Sequence, residues 1–456
     1  MNNEVVDSQI DNEEGSNLET GALEIAQKLS QSGHTAYWAG GAVRDRLLGK
    51  PVSDIDIATS ATPDEVIPLF PHANLVGKSF GVVVVAEKGI NFEVATFRSD
   101  GIYLDGRHPE DVSYTKSPEK DAGRRDFTIN ALFYDPMEDR VVDSVDGVAD
   151  LEEGIIRAVG KPLLRFREDR LRLLRAIRFA ARFNFEIEPA TWEALCAEAG
   201  RINEISAERI RDEILGMLTG PRAGKAFRLL KQSGLLKEIL PDVDRLEGVE
   251  QPDEFHPEGD VWEHTLMLLD QLTEPSPELA LAALLHDIGK PDTFQRLDRI
   301  RFNGHDKKGA EISSHIGHRL RLSNHQTERV RDLVAQHMRI GNAATKMRPA
   351  KLKRMLRSEI FPELLELHRI DCLASHRQLD TYNFCKEKLA TLPEEELRPT
   401  PLITGRDLMS LGLTPGPEFG KILRYIEDLQ LEGKINTSEE ATGIVQQKYL
   451  GGGTTE

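Results

Sequence analysis

The chain has 456 residues, of which 39% are hydrophobic and 29% charged, and its formal net charge is −18 at pH 7. This length exceeds one ordinary core, so we expect two to four domains of a soluble globular protein. No apolar run approaches the ~20 residues that cross a membrane, and the polar, acidic N-terminus indicates neither a secretory signal nor a transit peptide. Three widely spaced cysteines (Cys196, Cys372 and Cys385) argue against a disulfide framework and favour a reducing cytoplasm.

The first third of the chain mixes helix and strand signals. Residues 1–20 are acidic and poor in apolar side chains, which predicts a disordered tail. Between residues 21 and 155, an amphipathic helix is followed by short β-rich runs, and a Gly-, Asp- and Pro-rich stretch at 99–118 reads as a mobile loop. A small mixed-sheet head is therefore predicted.

From residue 156 the pattern is helical. We predict a helical segment over 156–245, a second helical domain over 250–390 after a Pro-containing break, and a C-terminal helical domain over 400–450. The predicted fold class is therefore α+β, with a mixed-sheet head followed by all-helical domains.

The head carries a glycine pair followed by alternate carboxylates. Gly40 and Gly41 would let the backbone approach a triphosphate closely. In Asp54-Ile55-Asp56, strand alternation sends both carboxylates to one face, where a divalent cation would relieve their repulsion. With the arginine pair that follows at 124–125, this order describes a site that joins a nucleoside triphosphate to a hydroxyl.

Five motifs in this order resemble the class II tRNA nucleotidyltransferase and bacterial poly(A) polymerase family. They are GGAVRDRLLG, DIDIAT, RRDFTIN, the segment from Asp143 to Leu151, and RFREDRLRLLRAIRFA. The resemblance covers residues 20–240 and implies a nucleotidyltransferase head at 21–155 and a neck that binds RNA and nucleotide at 156–245. It implies two Mg²⁺ ions on Asp54 and Asp56.

Further site residues are assigned in the same region. Glu93, on a strand beside Asp56, is the natural third carboxylate, with an exposed strand acid as the alternative. By resemblance Arg44 offers a forked donor to phosphate and Arg125 contacts the nucleotide. Asp126 and Asn130 fix either the sugar or the local fold.

An arginine-rich segment follows the head. Residues 165–182 contain seven arginines, a local basic element in an acidic chain. On one continuous helix, Asp169, Arg172 and Arg175 or Arg178 would share a face. By resemblance, Glu168-Asp169 and Arg172 form an amino-acid template that pairs with C and A and rejects U and G, while Arg175 and Arg178 face phosphate or the base stack. The alternative is an exposed helix with local ion pairs.

The second helical domain carries His264 and then the run LLHDIGK at residues 284–290. This pattern resembles HD-type metal phosphohydrolases. An adjacent His-Asp pair supplies one nitrogen and one oxygen to a metal, and a distant His and Asp complete the set. The candidate ligands of this unidentified divalent metal are His264, His286, Asp287 and Asp371. His305 and His337 are candidates for a second metal, and Lys290 would offer positive charge to a phosphate.

The resemblance implies a template-independent enzyme that adds C, C and A from CTP and ATP to the 3′ end of tRNA. Partial enzymes adding only A or only CC, a poly(A) polymerase, and an HD phosphohydrolase with an inactive head are the alternatives. In poly(A) polymerases a proline typically follows Glu-Asp, where this chain has Arg170. By resemblance, the loop at 96–107 helps to switch base preference from C to A, so its presence disfavours CC-only addition but leaves A-only addition open. The oligomeric state stays open.

Overall fold

The computed structural model describes residues 3–76, 81–100, 112–252 and 259–450. The chain divides into two compact units, residues 1–244 and residues 245–456. Within the described residues, no helix is both long and apolar enough to cross a membrane.

The first unit holds a seven-stranded mixed sheet, two short strand pairs and a helical second half. Its strands are β1 (Ala36–Ala39), β2 (Asp56–Thr59), β3 (Asn74–Leu75), β4 (Val82–Glu87), β5 (Ile90–Thr96), β6 (Arg98–Asp100), β7 (Val112–Tyr114), β8 (Phe133–Asp135), β9 (Arg140–Val142), β10 (Ile155–Ile156) and β11 (Glu186–Ile187). Its helices are α1 (Asn3–Gln31), α2 (Gly41–Leu47), α3 (Pro63–Val66), α4 (Pro118–Gly123), α5 (Gly147–Glu153), α6 (Pro162–Glu168), α7 (Leu171–Phe183), α8 (Pro189–Glu198), α9 (Ala207–Leu218), α10 (Ala223–Gln232), α11 (Leu235–Ile239) and α12 (Pro241–Asp244).

The sheet order is β3-β4-β5-β2-β1-β8-β9, and β2 and β5 are its parallel pair. Each face of the sheet covers a separate core. Ile55, Ile57 and Val94 pack on one face against α1, whereas Ala39, Ala58 and Phe133 belong to the core on the other face. The two carboxylates of the Asp-Ile-Asp motif are thus on the side away from α1.

The acidic tail predicted as disordered is, from Asn3 onward, part of α1, and this prediction is corrected. Glutamate, glutamine and leucine are good helix formers, and the C-terminal half of α1 buries Leu18, Ala22, Ile25 and Leu29 under the sheet. Burial of this apolar face stabilises a helix that the N-terminal composition alone does not predict.

The flanks of the predicted mobile loop pair as β6 and β7, with Arg98 opposite Tyr114. Residues 101–111, the centre of that loop and of the segment linked to base switching, lie outside the described residues.

A tight turn leads into α5. The carboxylate of Asp143 accepts hydrogen bonds from the backbone N–H groups of Val145, Gly147 and Val148 at 2.9–3.1 Å. A Cβ on Gly147 would lie 2.3 Å from the Thr128 carbonyl oxygen. The turn therefore packs directly on the backbone that follows the paired arginine.

Because a Cβ has no room there, we expect Gly147→Ala to lower the free energy of unfolding by about 2–3 kcal/mol, the cost of overpacking a core. Urea unfolding of the full chain measures the change. Gly200→Ala is the control, since nothing lies within 4 Å of the Cβ it adds. Equal stability of the two variants would contradict the close approach.

In its described residues, 245–252 and 259–450, the second unit is helical apart from one hairpin, β12 (Phe294–Arg296) and β13 (Ile300–Phe302). Its helices are α13 (Val261–Leu269), α14 (Pro277–Leu285), α15 (Lys290–Thr293), α16 (His305–Arg319), α17 (Asn324–Gln336), α18 (Pro349–Leu356), α19 (Phe361–Ala374), α20 (Asp380–Thr391), α21 (Glu394–Leu397), α22 (Gly405–Ser410), α23 (Pro417–Leu431) and α24 (Ser438–Val445). The predicted class, a mixed-sheet head followed by helical regions, is confirmed. The short pairs β10–β11 and β12–β13 are strands that the all-helical prediction missed.

Candidate functional site

Two aspartates lie at the start of β2, beside the glycine pair that follows β1. Asp56 is opposite Ala39 in the β1–β2 register, and Gly40 comes next along the chain. Ile55 is buried, whereas Asp54 and Asp56 are exposed on the opposite side, as the alternation predicts. In the parallel β2–β5 register Ile57 is level with Val94, which places Glu93 next to Asp56.

These three carboxylates repel one another. Partial desolvation, and then the charges of Glu93 and Asp54, raise the pKa of Asp56 to about 6, although Arg125 acts in the opposite direction. A cation bound among the oxygens of these three carboxylates would offset their repulsion. The hard carboxylate donors fit a divalent ion such as Mg²⁺.

The glycine pair forms a bend that only glycine accommodates. Gly40 has φ 66° and ψ −120°, and a Cβ at this position would lie 2.9 Å from Nη1 of Arg125. The bend leads directly into α2, and the backbone N–H of Arg44 donates to the Gly40 carbonyl oxygen. The arginine pair and the glycine bend are therefore in direct contact.

Arg44 is buried and fixed by two side chains. Its Nε donates to Asp45 at 2.8 Å and its Nη1 to Asn130 Oδ1 at 2.5 Å. Its guanidinium also lies over the rings of Phe179 and Phe183, 5.4 and 4.6 Å from the centroids. Its Nη2 would be 3.6 Å from a Cβ on Gly41, so this nitrogen points along the glycine bend.

Asp126 is the acceptor that connects the arginine-pair motif to its neighbours. It accepts hydrogen bonds from the Phe127 N–H, from Asn130 Nδ2 and from Arg175 Nε. Burial alone would raise the pKa of Asp126, but Arg175 and Asn130 hold it below its usual value. Arg125 donates to buried Asp121 and to the Asn130 carbonyl oxygen. Asp126 and Asn130 thus organise the cleft that Arg125 lines.

The Glu-Asp segment is not on a continuous helix, and this prediction is corrected. α6 ends at Glu168, Asp169 is extended at φ −144°, and α7 begins at Leu171. Asp169 accepts from the Leu171 N–H at 3.0 Å and from Arg209 at 2.8 Å. A short polar side chain that bonds nearby backbone competes with helix at such a position.

Arg172 lies in the first turn of α7 and is largely buried. It donates to Glu168, to the Arg165 carbonyl oxygen and to the Arg124 carbonyl oxygen at 2.8–3.0 Å. Asp169 and Arg172 therefore line the same cleft from two sides of the helix break. Glu168 stands behind Arg172 as its ion-pair partner.

The seven arginines of residues 165–182 divide into two groups. Arg165, Arg167 and Arg170 form ion pairs with Glu168, Glu198 and Glu204. The other four line the cleft: Arg172, Arg175, Arg178 and Arg182. Three of the seven arginines in the basic segment predicted from the sequence therefore form ion pairs within the fold, and the other four line the cleft.

One cleft of about 480 Å³ gathers most of the predicted transferase residues. This volume is within the range of small-ligand sites. Its lining includes seven arginines and five aspartates: Arg44, Arg124, Arg125, Arg172, Arg175, Arg178, Arg182, Asp45, Asp54, Asp56, Asp126 and Asp169. Gly40, Gly41 and Asn130 also line it, whereas Glu93 and Glu168 stand outside the lining.

The second unit contains a compact cluster of histidines and aspartates. Its ligand atoms form two groups, His264 with His286 and Asp287, and Asp287 with His305 and His337, each within 4.8 Å. Asp371 lies 3.1 Å from His264 Nε2, and its pKa is lowered because the hydrogen bond and charge of His264 outweigh burial. All six predicted ligands are thus together.

The orientation of three imidazoles fits metal binding. His286, His305 and His337 each place Nδ1 at 2.7–2.8 Å from a backbone carbonyl oxygen, which can only accept. A neutral ring in this position carries its proton on Nδ1 and turns its Nε2 lone pair to the cluster. The two Nε2 atoms of His305 and His337 are 3.2 Å apart, an arrangement that a shared cation stabilises.

Lys290 differs from its predicted role. It is buried and donates to Asp287 at 2.7 Å and to Gln251 at 2.5 Å. It neutralises the aspartate common to both ligand groups.

Three family models match successive parts of the chain: the poly A polymerase head domain over residues 36–157, the probable RNA and SrmB- binding site of polymerase A over 184–246, and the HD domain over 260–375. The chain is 46% identical over 214 residues to the CCA-adding enzyme of Geobacillus thermodenitrificans, which covers 47% of this chain and 53% of that protein. This match spans about half of the relative's length.

A longer alignment settles the family. Over 426 residues the chain is 32% identical to the CCA-adding enzyme of Levilactobacillus brevis, covering 92% of this chain and 95% of that protein. The chain belongs to the family of CCA-adding enzymes. The crystal structure of the Bacillus stearothermophilus CCA-adding enzyme in complex with CTP has a TM-score of 0.74 and 28% identity to this chain, and covers 95% of this chain and 98% of that one.

Membership in the CCA-adding family confirms the resemblance inferred from the five motifs, and the HD match confirms the second one. The nucleotidyltransferase fold of this family implies the use of a divalent metal.

In this CCA-adding family member, sequence reasoning missed several residues that shape the cleft. Arg182 lines it, Asp121 holds both arginines of the pair at 124–125, and Glu213 lies 2.7 Å from Arg178. Arg209, which binds Asp169, is one turn before Glu213 on α9. This i, i+4 spacing on an otherwise amphipathic helix was the available signal.

Proposed function

We propose that this protein adds C, C and A, from CTP and ATP, to the 3′ end of tRNA without a nucleic-acid template. One observation carries the proposal. The paired aspartates, the glycine bend, the arginine pair and the Asp169–Arg172 pair line a single cleft, in a chain that aligns along 92% of its length with a CCA-adding enzyme.

Asp54 and Asp56 would hold the divalent metal, for which we propose Mg²⁺, with Glu93 beside them. When bound, the metal neutralises developing charge and activates the attacking hydroxyl. The raised pKa of Asp56 supports this assignment, because burial and the charges of Glu93 and Asp54 outweigh the opposing charge of Arg125. No covalent intermediate with the protein is required, since this chemistry depends on positioning and charge.

The triphosphate would lie along the glycine bend. Gly40 and Gly41 leave the backbone open there, and Nη2 of Arg44 points to the same place. Asn130 and Asp45 fix the guanidinium of Arg44, so little side-chain entropy is lost on binding. Arg125 flanks the bend from the other side.

Asp169 and Arg172 would choose the base. The carboxylate accepts from the exocyclic amino group that C and A share, and the guanidinium donates to a ring acceptor. U and G present groups of the wrong polarity, which would leave buried donors or acceptors unpaired. The three fixed hydrogen bonds of Arg172 support a preorganised template.

If Arg172 selects the base, Arg172→Ala will lower the preference for CTP and ATP over UTP and GTP at least about tenfold. The measurement is kcat/KM for each of the four triphosphates. Arg182→Ala is the control from the same cleft, and it should reduce all four values together. An unchanged ratio in Arg172→Ala would remove the template assignment.

The alternatives are separated by one gel. Three tRNA transcripts, lacking CCA, ending in C and ending in CC, are each incubated with CTP or ATP alone. Full CCA addition predicts two C additions to the first transcript, one to the second and one A to the third. A-only addition extends only the third, CC-only addition never uses ATP, a poly(A) polymerase adds many A residues, and an HD enzyme with an inactive head adds none.

A second activity is favoured by the histidine cluster. We propose that the six residues would hold a divalent metal centre that hydrolyses phosphate esters at nucleotide ends. Asp287 belongs to both of its ligand groups. The lone-pair orientation of three histidines supports it. Removal of metal with a chelator, followed by restoration with Mn²⁺, Co²⁺, Ni²⁺ or Zn²⁺, tests the centre and identifies its metal.

A further inference from the structure

The longest stretch of the chain without an acidic residue lies in the second unit, and it is rich in lysine and arginine. Residues 333–358 contain seven lysines and arginines and no aspartate or glutamate, in a chain whose net charge is −18. Such local asymmetry is the expected footprint of a polyanion partner.

Three of the seven basic side chains are used inside the fold. Lys353 pairs with Glu396 at 3.0 Å, Arg354 pairs with Glu427 and Asp428, and Arg357 pairs with Glu427 at 2.5 Å. These contacts join α18 to α21 and α23. They explain part of the charge without any partner.

The other four basic side chains remain on the surface and surround one pocket. Arg339, Lys346, Arg348 and Lys351 are exposed, and with Met338 and Met347 they line a cavity of about 510 Å³. We call these four residues the basic rim. Among the described parts of the chain, the salt bridges include none made by a member of the basic rim.

The surroundings of the basic rim leave it net positive. Arg339 donates to the neutral amide of Gln336. Arg348 lies near enough to Glu432 to help lower the pKa of that carboxylate, but Glu432 forms its salt bridge with Lys434 at 2.6 Å. Holding several like charges around one cavity is unfavourable unless an anion offsets them.

The shape and spacing fit a phosphodiester backbone better than a single small anion. Lysine and arginine heads on separate segments, the 3₁₀ segment His337–Asn342, the loop at 343–348 and α18, reach different phosphates of one strand. The exposed Met338 offers an apolar, adaptable surface to sugar or base. The same 3₁₀ segment begins with His337 of the metal cluster.

We infer that the basic rim is an RNA-binding surface that holds the phosphodiester backbone of the tRNA substrate. This inference rests on the proposed function, because it takes the tRNA as the partner, but it concerns residues that are not part of the lining of the transferase cleft. Each contact of this kind releases counterions and makes affinity depend on salt.

The test compares two triple variants of the full-length chain. Lys346→Gln/Arg348→Gln/Lys351→Gln removes three charges from the rim. Lys307→Gln/Lys386→Gln/Lys421→Gln removes three charges from exposed positions elsewhere in the same unit. Binding of a tRNA transcript lacking CCA is measured by fluorescence anisotropy between 50 and 400 mM KCl, with nucleotide addition assayed in parallel.

The rim variant should bind tRNA at least about tenfold more weakly at 150 mM salt, and the slope of log K against log salt should fall by about 3, one for each lost phosphate contact. The control variant should match the wild type. Equal slopes in all three proteins, with nucleotide addition intact, would overturn the inference about the basic rim and leave the proposed function standing. Competition by poly-glutamate as effective as by RNA would reassign the rim to polyanions in general, and a wild type that neither binds nor extends tRNA would overturn the proposed function as well.

Discussion

Asp54→Asn and Asp56→Asn should each reduce nucleotide incorporation at least about 10³-fold while leaving the protein folded. Metal-assisted charge neutralisation supplies several kcal/mol to this kind of transfer, and each 1.4 kcal/mol is about tenfold in rate. An amide is a poor ligand for a hard divalent ion, so the loss should appear in kcat rather than in tRNA affinity. Rapid-quench measurement of single C addition reports it.

We also expect an effect on the thermal stability of these two variants. Because Asp56 is crowded by Glu93 and Asp54, with its pKa raised to about 6, removing one charge relieves repulsion and should leave the melting temperature unchanged or higher. Asp64→Asn, on the exposed first turn of α3, has the same change of charge and should keep full activity. Retained incorporation in Asp54→Asn or Asp56→Asn would remove the metal assignment.

Asp287→Asn should abolish metal binding in the second unit. This carboxylate is shared by both ligand groups, so one substitution removes a ligand from two positions. We expect the metal content to fall to background and phosphate-ester hydrolysis to fall at least about 100-fold. Mass-spectrometric metal analysis and a cyclic-nucleotide hydrolysis assay measure the two effects.

Nucleotide addition should be unaffected by Asp287→Asn, because the transferase cleft is in the other unit. Asparagine retains a carbonyl oxygen for Lys290, which is buried and also donates to Gln251, so this variant is preferred to alanine. Asp298→Asn, on the exposed β12–β13 hairpin, is the control. Loss of tRNA extension in a folded Asp287→Asn protein would contradict the separation of the two activities.

Local patterns predicted those parts of the cleft that depend on short-range geometry. The two carboxylates of Asp54-Ile55-Asp56 share a face because strand side chains alternate, and this needs no tertiary information. The glycine bend follows from the conformational freedom of Gly40 in the same way. The six candidate metal ligands of the second unit were predicted from the resemblance to HD-type phosphohydrolases, and the structure places them together.

Tertiary partners decided what the sequence did not predict. Asp169 leaves the helix because its carboxylate accepts from Leu171 and from Arg209, and Arg209 is forty residues away on α9. The predicted disordered tail joins α1 because the sheet buries Leu18 and the residues after it. Asp287 belongs to both ligand groups because His264, His305 and His337 come to it from separate segments of the chain. Sequence spacing alone does not specify this arrangement.

The most direct test of the central claim is a crystal structure of this protein with CTP and Mn²⁺, examined by anomalous scattering. We predict a manganese peak between the carboxylates of Asp54 and Asp56 and a triphosphate along Gly40 and Gly41, with the cytosine edge facing Asp169 and Arg172. Manganese confined to the histidine cluster, or CTP bound elsewhere with the aspartates free of metal, would contradict it.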